Sequence, residues 1–339
     1  MKAAIRFALA PVALAFAAGT AWAQKTELLV YTALETDQLK AYTESFNKMY
    51  PDVELKFVRD STGVVTAKLL AEKANPQADA ILGLAASSLE IFKAEGMLAP
   101  YAPKGVEKLN KRFVDSSKPP HWVGQDVWAA TVCYNTVEGQ KKGIPKPASW
   151  KDLTKPVYKG QVTMPNPASS GTGYFDVTAW LQLFGEADGW KFMDALHENI
   201  AQYTHSGSKP CRQSGAGEFV VGISFEYRAN DVKKKGAPVD IVFPKEGLGW
   251  DIEAAAIMKG TKKMAAAQKL LDWAVTKEAN EAYAKNFAIV AMPGVAPKLE
   301  HIPTDLETKL VKNDFAFAAK NRDRILAEWQ KRYSAKSEK

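Results

Sequence analysis

The sequence is poor in the residues that build metal and redox centres. Its 339 residues include two cysteines, Cys133 and Cys211, and four dispersed histidines, His121, His197, His205 and His301. There is no Cys-x-x-Cys pair and no Cys/His cluster, so the common zinc and thiol-exchange motifs are excluded, and neither a metal nor a cofactor is expected. Beyond the first two dozen residues no apolar run is long enough to span a bilayer. No long basic run interleaves with aromatics. The formal net charge of +7 therefore reads as a solvated surface and not as a nucleic-acid footprint. Two catalytic signatures are missing as well, the Gly-x-Ser-x-Gly elbow and the phosphate loop that closes on Gly-Lys-Ser/Thr. No carboxylate pair has motif spacing, and no fixed period marks a repeat. These absences disfavour a secreted hydrolase, and no catalytic residue is assigned.

What is present begins with an export signal. Met1 to Ala23 carries Lys2 and Arg6, an apolar run from Phe7 to Ala18, and Ala21-Trp22-Ala23 as a cleavage site. Cleavage before Gln24 is expected, which implies a soluble periplasmic protein. No cysteine at the cleavage site provides a lipid anchor. In an oxidising compartment Cys133 and Cys211 can form one disulfide or remain two buried thiols, and their spacing does not decide between the two.

After the signal the chain reads as strand, helix, strand, helix, strand, helix. Glu27 to Tyr31 is a buried strand, and Leu39, Tyr42, Phe46 and Met49 mark the inner face of the first helix. Val53 to Val58, a helix from Val64, Ala80 to Leu84 and a helix from Ser87 follow. The short connections imply a parallel sheet with helices on both faces, whose ligands lie beyond the carboxyl ends of the strands. A second α/β region starts after a strand-like run from His121 to Asn135. A return crossing lies near Lys245 to Asp251, with an apolar strand from Ile252 to Met258. Phe315 to Tyr333 ends the chain as an amphipathic helix.

The chemistry sits in two similar turns. In Pro165-Asn-Pro-Ala-Ser-Ser-Gly-Thr-Gly-Tyr174, a strand is followed by a hydroxyl- and glycine-rich turn that opens a helix. The first N–H groups of a helix lack internal partners and favour negative charge. Ser61-Thr62-Gly63 repeats the pattern in the first half of the chain. One such turn alone is equally well an ordinary helix cap. Two of them, in different halves, predict an anion site shared between lobes.

Two α/β regions, two crossings and an export signal resemble the periplasmic substrate-binding proteins of ABC transporters. Four segments resemble the 2-aminoethylphosphonate-binding subfamily: Val30 to Glu35, Pro167 to Gly173, Tyr203 to Cys211 and Pro244 to Asp251. The resemblance covers essentially the whole mature chain. It implies a two-lobed type II periplasmic binding protein fold with two hinge crossings. One lobe is expected to be formed by residues 24–128 and 250–339, the other by 129–249. It further implies a monomer that closes over an aminophosphonate and delivers it to an inner-membrane ABC permease.

On this basis Thr32, Ser61, Thr62, Gly63, Ser169, Ser170, Gly171 and Thr172 are expected at the phosphonate end. Tyr31, Glu35, Tyr101, Ser206, Glu226, Tyr227 and Asp251 are expected at the amine end or as cleft wall, because an ammonium needs carboxylates or an aromatic face. Each acid is equally readable as a surface charge or helix cap. Ferric iron, inorganic phosphate, sulfate and polyamine are rival ligands of the same fold. An iron site commonly uses adjacent tyrosines, whereas this chain has Phe225-Glu226-Tyr227. A polyamine site has no use for two anion turns.

Overall fold

The computed structural model describes residues 25–295 and 299–338, so the expected signal segment lies outside the described residues. Among the described residues ten strands form one continuous sheet in the order β2-β1-β3-β10-β5-β8-β6-β7, with β4 on β10 and β9 on β5. The strands are β1 (Thr26–Thr32), β2 (Val53–Arg59), β3 (Ala80–Ala85), β4 (Leu98–Ala99), β5 (Trp122–Asn135), β6 (Val162–Pro165), β7 (Ile200–Thr204), β8 (Val221–Phe225), β9 (Val239–Val242) and β10 (Trp250–Met258). The first helices are α1 (Thr36–Met49), α2 (Thr62–Ala71), α3 (Ala86–Ala94) and α4 (Thr136–Lys142). Then come α5 (Gly171–Phe184), α6 (Glu186–Asn199), α7 (Lys209–Gly215) and α8 (Glu226–Lys234). The last four are α9 (Met264–Ala274), α10 (Lys277–Tyr283), α11 (Phe315–Lys320) and α12 (Arg322–Tyr333). Among the described residues no helix is long and apolar enough to cross a membrane.

The sheet divides within β5. Residues 122–129 of this 14-residue strand pair with β10, and residues 130–135 pair with β8 and β9. β1, β2 and β3 are parallel, as β-α-β connections require, while β10 runs antiparallel between β3 and β5. The two crossings therefore lie side by side. The Ala130 N–H donates to the Gly249 carbonyl at 2.8 Å where they leave one half of the sheet for the other.

Periodicity explains the layers. On α1, Tyr42 and Phe46 are fully buried against Trp273 of α9, with ring centroids 6.3 and 6.0 Å apart, whereas Met49 at the helix end is exposed. Burying such a side chain contributes about 1.5–3 kcal/mol. Cys133 of β5 and Cys211 of α7 are joined by a disulfide across 5.3 Å between Cα atoms, inside a satellite core with Ala229, Val232 and Val239.

The C-terminal segment, expected to lie in one lobe with 24–128, touches both halves of the sheet. β10 and α9 stay with the first half of the sheet and α11 packs on α3 of that half, while α12 and the residues after it pack on the second. The Tyr174 hydroxyl donates to the Ala318 carbonyl, Tyr333 to Asp194 at 2.7 Å, and the Glu338 N–H to the Tyr203 carbonyl at 2.8 Å. The single helix expected over 315–333 is also two. It breaks at Asn321, whose side chain donates back to the Phe317 carbonyl.

Candidate functional site

Where the two halves of the sheet face each other, the loops beyond β1, β2 and β3 meet the start of α5 around a narrow cavity of about 40 Å³. The first half contributes Ser61 and Thr62 at the start of α2 and Arg59 at the end of β2. Across from them lie Ser170, Gly171 and Thr172. Trp128 of β5, Phe225 of β8 and Glu253 of β10 close the hinge side.

The anion-seeking face follows from local sequence. Ser61 caps α2 by position but spends no side-chain bond on it, so its hydroxyl is free. Ser170 caps α5, accepting weakly from the Gly173 N–H at 3.4 Å. The N–H groups of Gly171 and Thr172, the first two of α5, have no carbonyl to bind within the helix. The two helix starts approach closely: a Cβ built on Gly171 would come within 2.7 Å of the Thr62 hydroxyl. Arg59 adds a guanidinium whose Nε donates to the Leu34 carbonyl at 2.9 Å, which fixes its direction.

The opposite chemistry lies at the hinge. Glu253 and Asp126 are direct cross-strand partners on β10 and β5. The register shifts just beyond them, which inserts Gln125 as an extra residue in β5. Gln125 then accepts from the N–H of Gly83, itself at φ +63° in a register shift of β3. Glu226, at the start of α8, is fully buried and accepts from the Ala129 N–H at 2.7 Å. Both Asp126 carboxyl oxygens, Glu253 Oε2 and Glu226 Oε1 are buried with no hydrogen-bond partner.

Burial raises all three carboxyls. Glu226 is pushed up to about 8 by desolvation against its backbone hydrogen bonds. Asp126 and Glu253 are held well above the usual carboxylate range, first by desolvation and then by repulsion from each other's neighbourhood, including Glu226. A carboxyl whose folded pKa is raised keeps its full stabilising contribution below the unfolded value and loses it as pH rises toward the folded one. Stability of the unliganded protein should therefore fall between about pH 5 and 8, by up to about 1.4 kcal/mol per pH unit for each titrating group. Glu226→Gln, which keeps the acceptor for Ala129, should flatten this slope in denaturant titrations at pH 5, 6, 7 and 8. An equal slope in the variant would remove Glu226 as its source.

Of the residues expected at the site, Ser61, Thr62, Ser170, Gly171, Thr172 and Glu35 line the cavity. Glu35 is committed elsewhere, however. It accepts from Arg228 at 3.1 Å and from the Ser208 hydroxyl, so an amine gains little there. Thr32 is buried and accepts from the Leu34 N–H, shaping the loop below the site. The Gly63 N–H is spent on the Ser169 carbonyl at 2.8 Å across the cleft, and the Ser169 hydroxyl donates to the His205 carbonyl at 2.8 Å. These two residues form a lip where the halves touch. Ser206 supports the same rim, accepting at Oγ from the Ser208 N–H.

The remaining assignments are corrected by side-chain direction. Tyr31 donates to Glu72 at 3.2 Å beneath Lys68, in the packing between β1 and α2. Tyr101 donates to Asp272 at 2.9 Å on α9, away from the cavity. Tyr227 packs against Phe287 with Arg228 over its ring and does not line the cavity. Asp251 accepts from the Ile252 and Ser87 N–H groups at the start of α3, and burial raises it to about 6. Glu226 stands behind the cavity wall. Among the described residues no group of three or more His, Cys, Asp or Glu is arranged for a metal ion.

Arg59, Trp128 and Glu253 are cavity residues that the sequence patterns did not single out. A signal existed for Glu253, an acid inside an apolar strand, and for Arg59, a cation directly preceding an anion turn.

Comparison with known proteins gives the family and the fold. Residues 75–317 match the family of bacterial extracellular solute-binding proteins. A protein of Haemophilus influenzae with no assigned role is 32% identical over 314 residues, covering 90% of each chain. A probable ABC transporter periplasmic-binding protein of Sinorhizobium fredii is 28% identical, over 70% of this chain and 66% of its own. The solved structure of the periplasmic binding protein AfuA from Actinobacillus pleuropneumoniae, with fructose-6-phosphate bound, superposes with a TM-score of 0.85 at 30% identity, covering 92% of this chain and 99% of that one. The chain belongs to the bacterial extracellular solute-binding proteins, has the type II periplasmic binding protein fold, and is a solute binder and not an enzyme.

Proposed function

We propose that this solute-binding protein captures 2-aminoethylphosphonate in the periplasm and hands it to an inner-membrane ABC permease. One observation carries the ligand: the cavity is built for opposite charges at its two ends. Free hydroxyls and two helix starts face one end, with Arg59 shared between that end and Glu35 at 3.7 Å, and Glu253, backed by buried carboxyls, faces the other. A phosphonate supplies three acceptor oxygens to the first, and charge-assisted bonds of this kind are the strong ones. An ammonium supplies the cation that the second lacks. The α5 turn carries no Lys or Arg, and among the described residues Arg59 is the one formal positive charge in the wall, so the zwitterion is not repelled.

Periplasmic residence rests on the signal at residues 1–23 and on the relatives. The lobes are taken as 24–128 with the return from 250, and 129–249 together with α12, while α11 bridges to α3. The ligand docks on one lobe and the other closes about β5 and β10.

A phosphorylated sugar is the second reading, supported by AfuA at 30% identity. It would use the same anion face but leaves Glu253 without a cation. Calorimetric titration against 2-aminoethylphosphonate, ethylphosphonate, fructose-6-phosphate, phosphate, ferric citrate and putrescine separates these readings. Tightest binding of the aminophosphonate supports the proposal. Preference for the sugar phosphate, or for iron or putrescine, overturns it. Ser61→Ala or Thr172→Ala should weaken aminoethylphosphonate and ethylphosphonate alike, by about tenfold each, because a hydrogen bond to a charged group contributes about 1.5–3 kcal/mol. Loss confined to the aminated ligand would place these hydroxyls at the other end.

A further inference from the structure

The carboxyls behind the cavity outnumber what one ammonium needs, and they straddle the hinge. Asp126 and Glu253 face each other on the two crossing strands, where like charges directly opposite destabilise a sheet. Glu226 reaches the same place from the second lobe through Ala129. The groups packed around them do not neutralise them. From α1 come Glu35 and Tyr42, from α10 Tyr283, and from β5 Gln125, all acidic or neutral. Three nearby guanidinium groups are turned to Glu35: Arg228 at 3.1 Å, and Arg59 and Arg212 at 3.7 Å each. The Tyr42 hydroxyl and the Gln125 amide nitrogen are themselves buried without partners. This is an unusual concentration of unmet polar groups against one wall of a ligand cavity.

We propose that Glu253, Asp126 and Glu226 form a proton-exchange subsite, in which the ligand's ammonium group takes the place of a proton held among the three carboxyls. The inference rests on the aminophosphonate reading above. The exchange balances as follows. One carboxyl O–H bond breaks and its proton leaves to the solvent, while the resulting carboxylate pairs with the incoming ammonium, which keeps its own protons. In the unliganded cavity an ionised trio would be a buried, uncompensated charge, so protonation is its stable form. With the ammonium in place the carboxylate form is the stable one. Only Glu253 meets the ligand. Asp126 and Glu226 act through it, as positioning residues that keep its proton on until the ligand arrives. Affinity for the aminated ligand then rises with pH, by up to tenfold per unit, while the unliganded site holds the proton.

The test is calorimetric titration near pH 7 in two buffers of different ionisation enthalpy, with 2-aminoethylphosphonate and with ethylphosphonate as the control, each proton count corrected for that phosphonate's own second ionisation, titrated separately. The aminated ligand should release about one proton more than the control. Glu253→Gln, an isosteric replacement of a protonated acid, should abolish the excess and bring the two affinities together. Asp126→Asn removes the opposing charge without touching the ligand. It should keep binding but reduce the excess release and flatten the pH dependence, which a merely structural residue would not do. Equal proton counts for both ligands in the wild type overturn the exchange and leave the ligand assignment standing. Failure of 2-aminoethylphosphonate to bind at all overturns both.

Discussion

Replacing Gly63 by valine is expected to hold the lobes apart while leaving each folded. Gly63 is the second residue of α2, in ordinary helical conformation, so a side chain strains nothing in its own backbone. Valine is, if anything, the better helix residue by a few tenths of a kcal/mol. The obstacle lies across the cleft. A Cβ at Gly63 would stand 2.1 Å from the Ala168 carbonyl oxygen and 2.8 Å from its carbon. Both are backbone atoms in the turn before α5 and cannot rotate away. The Gly63 N–H bond to Ser169, at 2.8 Å, would be lost with them. Because a ligand binds tightly only to the fraction of molecules that can close, apparent affinity should fall by about 100-fold or more. Small-angle scattering should show no ligand-dependent compaction, with thermal unfolding of the unliganded protein little changed. Gly171→Ala is the graded control. Its Cβ would meet the Thr62 hydroxyl at 2.7 Å, a rotatable side-chain atom, so the loss should be much smaller. Wild-type affinity and compaction in Gly63→Val would show that the lobes do not approach along this lip.

The difference between these two glycines also marks what a sequence can disclose. The hydroxyls of Ser61, Thr62, Ser170 and Thr172 were legible because helix-start chemistry is local: a strand, a polar turn and a helix suffice to locate free N–H groups. The alternation of strands and helices was legible for the same reason. Which residues meet across the cleft was not. Tyr31 and Tyr101 were expected as cleft walls, yet β1 is covered on both faces, and nothing in an unbroken apolar run says which way a given residue points. Glu226 was placed at the amine end and lies one layer behind it. The residue in front, Glu253, reaches the cavity only through an antiparallel register in which Gln125 is bulged out, a non-local fact. Arg59 ends a strand whose neighbours are fixed by the sheet order. Its nearness to Ser61 in sequence was visible, but its direction, set by the Leu34 carbonyl, was not.

Arg228→Ala should be the most damaging substitution outside the cavity. This guanidinium is all but fully buried, and it gathers three carboxylates and a hydroxyl. It donates to Glu35 at 3.1 Å and Asp37 at 3.3 Å from the first lobe, to Asp231 at 2.6 Å on its own helix, and to Ser208 at 3.2 Å. The Ser208 hydroxyl donates in turn to Glu35. Removing one partner of a buried ion pair costs about 3–5 kcal/mol, mostly because the opposite charges remain. Here the cost falls on the closed form. With the lobes apart, Glu35 and Asp37 return to water at the start of α1, where the helix dipole favours them. The variant should therefore bind every phosphonate about 100-fold more weakly, aminated or not, with a smaller change in unliganded stability. Arg228→Lys should recover only part of the loss, since a single ammonium cannot serve carboxylates on two sides as the guanidinium fork does. Glu35→Gln combined with Arg228→Ala should lose less than the two single changes together, because one stranded charge is gone. Full additivity of the pair, or a loss confined to the aminated ligand, would mean that this cluster does not latch the lobes.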